Sequence, residues 1–318
     1  MTLSLSNCRL CPRECGVDRA AGRLGYCRAG ARTEIYRYGV HRGEEPPVSG
    51  ERGSGAIFFS RCTMRCLYCQ NHPWSQGGEG RTYGEGELAE VFRSVAAEGC
   101  HNWNLVSPTP WLPQILEALD AVEADGISLP VVYNTSGFER VEVLDELGDR
   151  VDVYLTDLRY SREESAALGS GAPGYVAAAR EAMKAMWRLA GPLALDGGGV
   201  AVRGVICRIL ILPGRAAEAV ENLRWLAEEI GTEVAVSVMA QYTPTHRATG
   251  CPPWDRLIAA EEYEAVCREV EALGFGNGWI QEFGLPPPDG LLGADMKRVE
   301  PAGTSSQARD DHGRMEQP

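Results

Sequence analysis

The sequence predicts an α/β protein built on a parallel sheet, and three observations carry that prediction. Short apolar runs alternate with amphipathic helical stretches from residue 53 to residue 273, giving six strand-helix units. Polar or charged residues stand where those runs end. A loop with three cysteines follows the first run. Strands alternating with helices of this length imply right-handed βαβ crossovers, which wind into a barrel or a doubly wound sheet.

Taken in order, the first strand is Gly53-Ser54-Gly55-Ala56-Ile57-Phe58-Phe59-Ser60, an apolar run bounded by glycine. Residues 84–99 read as a helix with Leu88, Val91, Phe92 and Val95 on one face. Residues 103–106 form the second strand. A helix over residues 111–124 begins near Pro113, where proline suits a first turn. The third strand spans 129–133, and a helix 141–147 leads to the fourth strand at 151–155. A longer helix covers 175–189. Residues 200–212 and 234–239 are the last two strands, each followed by a helix, at 216–230 and 258–273. Ligands in such folds gather at the C-terminal ends of the strands.

That is where Cys62, Cys66 and Cys69 lie, on the loop leaving the first strand. Structural zinc is normally closed by four ligands, and one tight loop supplies only three here. An iron–sulfur cluster fits better: thiolates suit its soft irons, and three of them on a four-iron cluster leave one iron open.

The 318 residues suffice for one barrel-sized domain with small extensions. With 44% hydrophobic and 24% charged residues the chain can bury a full core. The net charge of −13 argues against a general binder of nucleic acid or acidic membrane. No stretch approaches the ~20 apolar residues of a membrane span, and no export signal follows Met1, so a cytoplasmic protein with reduced cysteines is expected. Seven of the eleven cysteines fall into two metal-like groups. The second is Cys8, Cys11, Cys15 and Cys27, in a segment with too few apolar residues for its own core. Four thiolates around one ion or cluster would hold it together, and zinc and iron–sulfur both satisfy the pattern. Residues 1–52 are thus expected as a cysteine-rich extension and connector, 53–284 as the main domain, and 285–318 as a disordered tail without apolar periodicity. Residues 33–52, with His41, Glu44 and Glu45 before Pro46-Pro47, read as a solvated connector, the alternative being that His41 and Glu44 line the substrate side.

The strand ends supply further site candidates. Ser107 and Thr109 follow the second strand, Asn134, Thr135, Ser136 and Gly137 the third, and Asp157 the fourth. Burying Asp157 without a partner would be costly. Arg208, emerging from the apolar run 208–212, is a natural bidentate partner. Gln241 and Tyr242 close the last strand.

The C-x3-C-x2-C spacing, with Tyr68 before the last cysteine, resembles the signature of the radical S-adenosylmethionine (SAM) enzymes. Cys11-Pro12-Arg13-Glu14-Cys15, Glu44-Glu45-Pro46, Cys69-Gln70-Asn71, Tyr133 to Gly137 and Gln241-Tyr242 together resemble the PflX-type family, homologues of pyruvate formate-lyase activating enzymes, from about residue 8 to 284. The resemblance implies a partial (βα)6 TIM-like barrel and a [4Fe–4S] cluster on Cys62, Cys66 and Cys69. It implies reductive cleavage of SAM to a 5′-deoxyadenosyl radical that abstracts hydrogen. The hydrogen donor is a glycine of a glycyl-radical protein in activating enzymes; a peptide or small-molecule substrate is the alternative. An electron donor such as flavodoxin or ferredoxin is the other implied partner.

Arg208 matches an arginine that meets the SAM carboxylate. Asn134, Thr135, Leu155 and Asp157 match positions that hold a monovalent cation, although Asn134 departs from the usual acid. Arg159 stands where the family has lysine, and Ser107-Pro108-Thr109 where many members have a Gly-Gly-Glu segment. The reading of another class is a non-catalytic iron–sulfur electron carrier or zinc protein.

Overall fold

The computed structural model describes residues 3–84 and 86–284. The tail expected from residue 285 lies outside the described residues. After the turns that carry the first four cysteines come β1 (Thr33–His41), α1 (Pro46–Ser49), β2 (Ser54–Phe59), α2 (His72–Ser75) and β3 (Arg81–Tyr83). Helix α3 (Glu87–Ala97) leads to β4 (Trp103–Val106), α4 (Leu112–Ala124), β5 (Val131–Thr135), α5 (Val141–Leu147) and β6 (Val153–Asp157). Next are α6 (Glu163–Ser170), α7 (Tyr175–Ala190), the short β7 (Ala194–Leu195) and β8 (Ala201–Leu210). Helix α8 (Ala216–Glu229), β9 (Ala235–Met239), α9 (Ala260–Leu273) and β10 (Gly278–Ile280) complete the order.

The main sheet is open, in the order β3-β1-β2-β4-β5-β6-β8-β9-β10, with β7 paired to β8 off this path. From β2 through β10 the neighbours on the path are parallel. This is the α/β architecture expected, and its sheet does not close. Besides the short α1, α2, β3 and β7, which the sequence does not predict, three features depart from expectation. Residues 33–41 are not a connector: β1 pairs antiparallel with β2, so the sheet crosses the boundary expected at residue 52. Helix α6 stands in the stretch between the fourth strand and the long helix. Strand β10 adds a further parallel strand beyond the six anticipated.

Side chains alternate along each strand, so one face of the sheet is read every second residue. Tyr133, Tyr154, Val205 and Cys207 face the helices and join the core with Val143, Met183 and Leu223. Val132, Val153, Leu155 and Ile206 form a separate apolar cluster on the opposite face. Continuing along that second face with period two brings Asn134, Asp157 and Arg208 to the C-terminal ends of β5, β6 and β8. Hydrophobic packing lower on the strands therefore positions the polar residues above it. Strand register does the rest, since Asp157 pairs directly with Arg208 across β6 and β8.

The N-terminal segment docks over those strand ends. Arg13 donates to Thr63 O and Gly171 O, each at 2.6 Å. Arg19, only 1% exposed, donates to Pro110 O at 2.6 Å and to Gly30 O. These charge-assisted bonds tie the extension to the cysteine loop and to the loop after β4.

Candidate functional site

A cavity of about 920 Å³ opens at the C-terminal ends of the parallel strands. Its lining contains Cys62, Cys66, Cys69, Ser107, Asn134, Thr135, Ser136, Asp157, Arg208 and Gln241, together with His41, Glu44 and Glu45 from the segment expected to be a connector. Thr109 is placed elsewhere. A 3-10 turn over Thr109–Trp111 turns it inward, where its hydroxyl donates to Glu139 Oε1 at 2.6 Å, and it lines the smaller cavity of the N-terminal cysteines.

The cysteine loop is held in place by its surroundings. Arg65 N and Leu67 N donate to Ser170 O and Gly169 O at the end of α6, and Arg247 N donates to Leu67 O. Gly169 has to be glycine because a Cβ there would stand 2.5 Å from the Tyr160 hydroxyl and 2.8 Å from the Trp254 ring. Tyr68, 5% exposed, stacks on Trp254 at 5.4 Å and hydrogen-bonds the Tyr160 hydroxyl at 2.7 Å. The aromatic residue of the motif therefore anchors the loop to the segments that follow β6 and β9.

The three sulfurs differ in their partners. Met64 N donates to Cys62 Sγ at 3.4 Å, and Ser75 Oγ lies 3.3 Å from Cys69 Sγ. Cys66 Sγ accepts from Arg159 Nη1 at 3.1 Å and from Ser170 Oγ at 3.0 Å. Burial, reinforced by the neighbouring Cys66 thiol, pushes the Cys62 thiol up to about 12 and the Cys69 thiol to about 11. Metal binding would displace those protons.

Within the same cavity, Asp157 organises the charged groups. Its Oδ1 accepts from Arg208 Nε at 2.7 Å and its Oδ2 from Arg159 Nε at 2.9 Å. Burial alone would raise the carboxyl, but the guanidiniums of Arg208 and Arg159 outweigh it and hold it below the usual range. Arg208 Nη2 donates to Asn134 Oδ1 at 2.7 Å, while Nη1 stands 3.6 Å from Glu44 Oε2. Glu44 Oε1 in turn accepts from Asn104 and Asn134. Beside it, Glu45 is buried with Oε2 unpartnered among the described residues, and burial raises its carboxyl despite Arg208.

Gly137 (φ +81°) lets the loop after β5 pass close to β6, since a Cβ would stand 2.4 Å from Asp157 O. The loop then carries Glu139, a residue that sequence reasoning did not single out. Its Oε1 accepts from Thr109 and Thr135, its Oε2 has no hydrogen-bond partner among the described residues, and burial pushes it up to about 7. An acid beside Phe138, one turn beyond a strand end, was the available signal.

Cys8, Cys11, Cys15 and Cys27 surround the smaller cavity with Arg13, Arg19 and Tyr26. Arg19 Nη1 lies 3.9 Å from Cys8 Sγ. Burial pushes Cys11 up to about 12 and raises Cys27. Among the described residues no three His, Cys, Asp or Glu side chains gather closely enough to grip a single metal ion. What the two cysteine groups present is a donor set. At the main cavity the set fits an iron–sulfur cluster with a charged organic ligand beside it: three thiols, with guanidinium, carboxylate and amide groups lining the same cavity.

No family model matches the chain. A protein of Methanocaldococcus jannaschii, itself described as uncharacterized, is 28% identical over 274 residues, 83% of this chain and 74% of that protein. Among solved structures, anSMEcpe with bound AdoMet superposes with a TM-score of 0.44 at 11% identity, over 72% of this chain and 59% of that one. SuiB of Streptococcus suis gives 0.44 at 12% identity, over 70% and 47%. TsrM of Kitasatospora setae, a radical S-adenosylmethionine methyltransferase with cobalamin and a [4Fe–4S] cluster bound, gives 0.41 at 15% identity, over 74% and 42%. The chain spans about half the length of these three structures. The likeness is one of chain path, and the chemistry of the site rests on its own residues.

Proposed function

We propose that this chain is a radical SAM enzyme of the activating-enzyme type. The observation that carries the reading is that Cys62, Cys66 and Cys69 line one cavity together with Asn134, Asp157 and Arg208, Arg159 bridging Cys66 and Asp157. When bound, the [4Fe–4S] cluster would supply the electron that cleaves SAM to a 5′-deoxyadenosyl radical.

The chain's own residues have separable tasks. The three thiols would hold the cluster, which would bind SAM at its remaining iron. Arg208 Nη1 is the guanidinium nitrogen with donors to spare, Glu44 Oε2 lying 3.6 Å from it, beyond a normal hydrogen bond. It receives the carboxylate of SAM, while Asp157 and Asn134 fix the plane of the fork. Ser107, Thr135, Ser136 and Gln241 bring hydroxyl, amide and backbone groups to the same cavity for the rest of the cofactor.

The hydrogen donor in this reading is a glycine of a partner protein, and the reductant is an external flavodoxin or ferredoxin. A peptide or small-molecule donor is the alternative within the same chemistry. Anaerobic reconstitution tests the first requirement: the protein should hold one [4Fe–4S] cluster at the loop and bind SAM. Substituting Cys62, Cys66 and Cys69 together by alanine should abolish SAM binding. Retained SAM binding in that variant would contradict the reading.

A further inference from the structure

Of the three sulfurs, Cys66 Sγ alone receives two side-chain donors among the described residues. We propose that Arg159 and Ser170 clamp the Cys66 sulfur and set the reduction potential of the cluster, an inference that rests on the reading above.

The aim of each donor is fixed by groups behind it. Asp157 Oδ2 takes both Nε and Nη2 of Arg159, so the remaining nitrogen of the planar fork points at the sulfur. Asp157 is only 2% exposed and is itself held by Arg208. Guanidinium and thiolate thus meet in a fixed geometry. Lysine at position 159 could not make the carboxylate fork and reach Cys66 at once.

The second donor ends a chain of hydroxyls. Tyr68 OH lies 2.7 Å from Tyr160 OH, which lies 2.7 Å from Ser170 Oγ. A cluster-bound Cys66 is a thiolate and can only accept, so Ser170 donates to it, Tyr160 donates to Ser170, and Tyr68 donates to Tyr160. Such chains polarise one another, which strengthens the last bond. Tyr68, Tyr160 and Ser170 are all buried, so water does not compete.

Hydrogen bonds and positive charge at a ligating sulfur stabilise the extra electron of the reduced cluster and raise its potential. The clamp makes this cluster easier to reduce than an undecorated one. Arg159 and Ser170 are therefore tuning residues, and neither has to touch the reacting atoms.

The experiment is a mediated reductive series on the reconstituted full chain, followed by electron paramagnetic resonance. Ser170→Ala and Arg159→Met should each shift the potential to more negative values, and Tyr160→Phe should shift it less in the same direction. Ser170→Ala removes one hydroxyl from a helix end and leaves the Tyr68–Tyr160 pair in place, so it keeps the test meaningful if Arg159→Met fails to fold. A cluster that assembles on Cys62, Cys66 and Cys69 with the wild-type potential in Ser170→Ala and Arg159→Met would overturn the clamp alone. Failure of the wild type to assemble a cluster at that loop would overturn the proposed function with it.

Discussion

Arg208 Nε lies 2.7 Å from Asp157 Oδ1, and the two residues are register partners at the ends of neighbouring parallel strands. The backbone ladder alone brings the charges together. Asp157 also carries Arg159, so replacing it strands two guanidiniums in a buried place. Asp157→Asn should cost about 3–5 kcal/mol in denaturant unfolding, the range for losing one partner of a buried pair. A loss below about 1 kcal/mol, the value of an exposed pair, would show that water reaches the group freely.

Arg208→Lys should separate cofactor binding from cluster assembly. Lysine keeps the charge but cannot bridge Asp157 and Asn134 while presenting a further donor to SAM. A lost charge-assisted hydrogen bond is worth about 1.5–3 kcal/mol, so the SAM dissociation constant should rise by about tenfold or more. Isothermal titration of the reconstituted protein reads this, and the cluster's visible absorbance should stay.

Thr109 and Ser107 are two residues apart and should behave differently. Thr109→Val removes a donor from Glu139 and should destabilise by about 1–3 kcal/mol. Because Thr109 does not line the main cavity, SAM affinity should be unchanged. Weakened SAM binding with intact stability would reverse this assignment.

Glu139 makes stability depend on pH in a defined direction. Its carboxyl is raised from 4.5 to about 7 in the folded chain, chiefly by burial, so the folded state holds the proton more tightly than the unfolded one. The contribution of Glu139 to stability is therefore greatest below about 4.5, falls as pH rises toward 7, and levels off above it, by about 3 kcal/mol in all. Glu139→Gln should be more stable than wild type at pH 8 and similar at pH 4.5. The difference between the two unfolding curves isolates this group, and a constant difference across that range would contradict it.

Much of the site was legible in the sequence because strand ends and apolar runs are periodic signals. Asn134, Asp157 and Arg208 each stand two residues beyond an inward-facing apolar residue, so alternation places them on one face. Three elements escaped for physical reasons. In β1 the register shifts between Ile35 and Arg37, which breaks the alternation that marks a strand. In α6 the sequence Glu163-Glu164-Ser165-Ala166-Ala167-Leu168-Gly169-Ser170 has little amphipathic contrast, and its value lies in the backbone carbonyls and the Ser170 hydroxyl that meet the cysteine loop. Strand β10 is three residues long and mostly exposed. Thr109 shares its loop with Ser107, and only the turn at Thr109–Trp111 sends the two hydroxyls in different directions.

The central claim is that this chain cleaves SAM at a cluster held by Cys62, Cys66 and Cys69. Anaerobically reconstituted protein given SAM and dithionite should release 5′-deoxyadenosine and methionine, measured by liquid chromatography, and Cys66→Ala should release none. Wild-type protein that assembles the cluster and releases no 5′-deoxyadenosine, or a Cys66→Ala variant that releases as much as wild type, would contradict it.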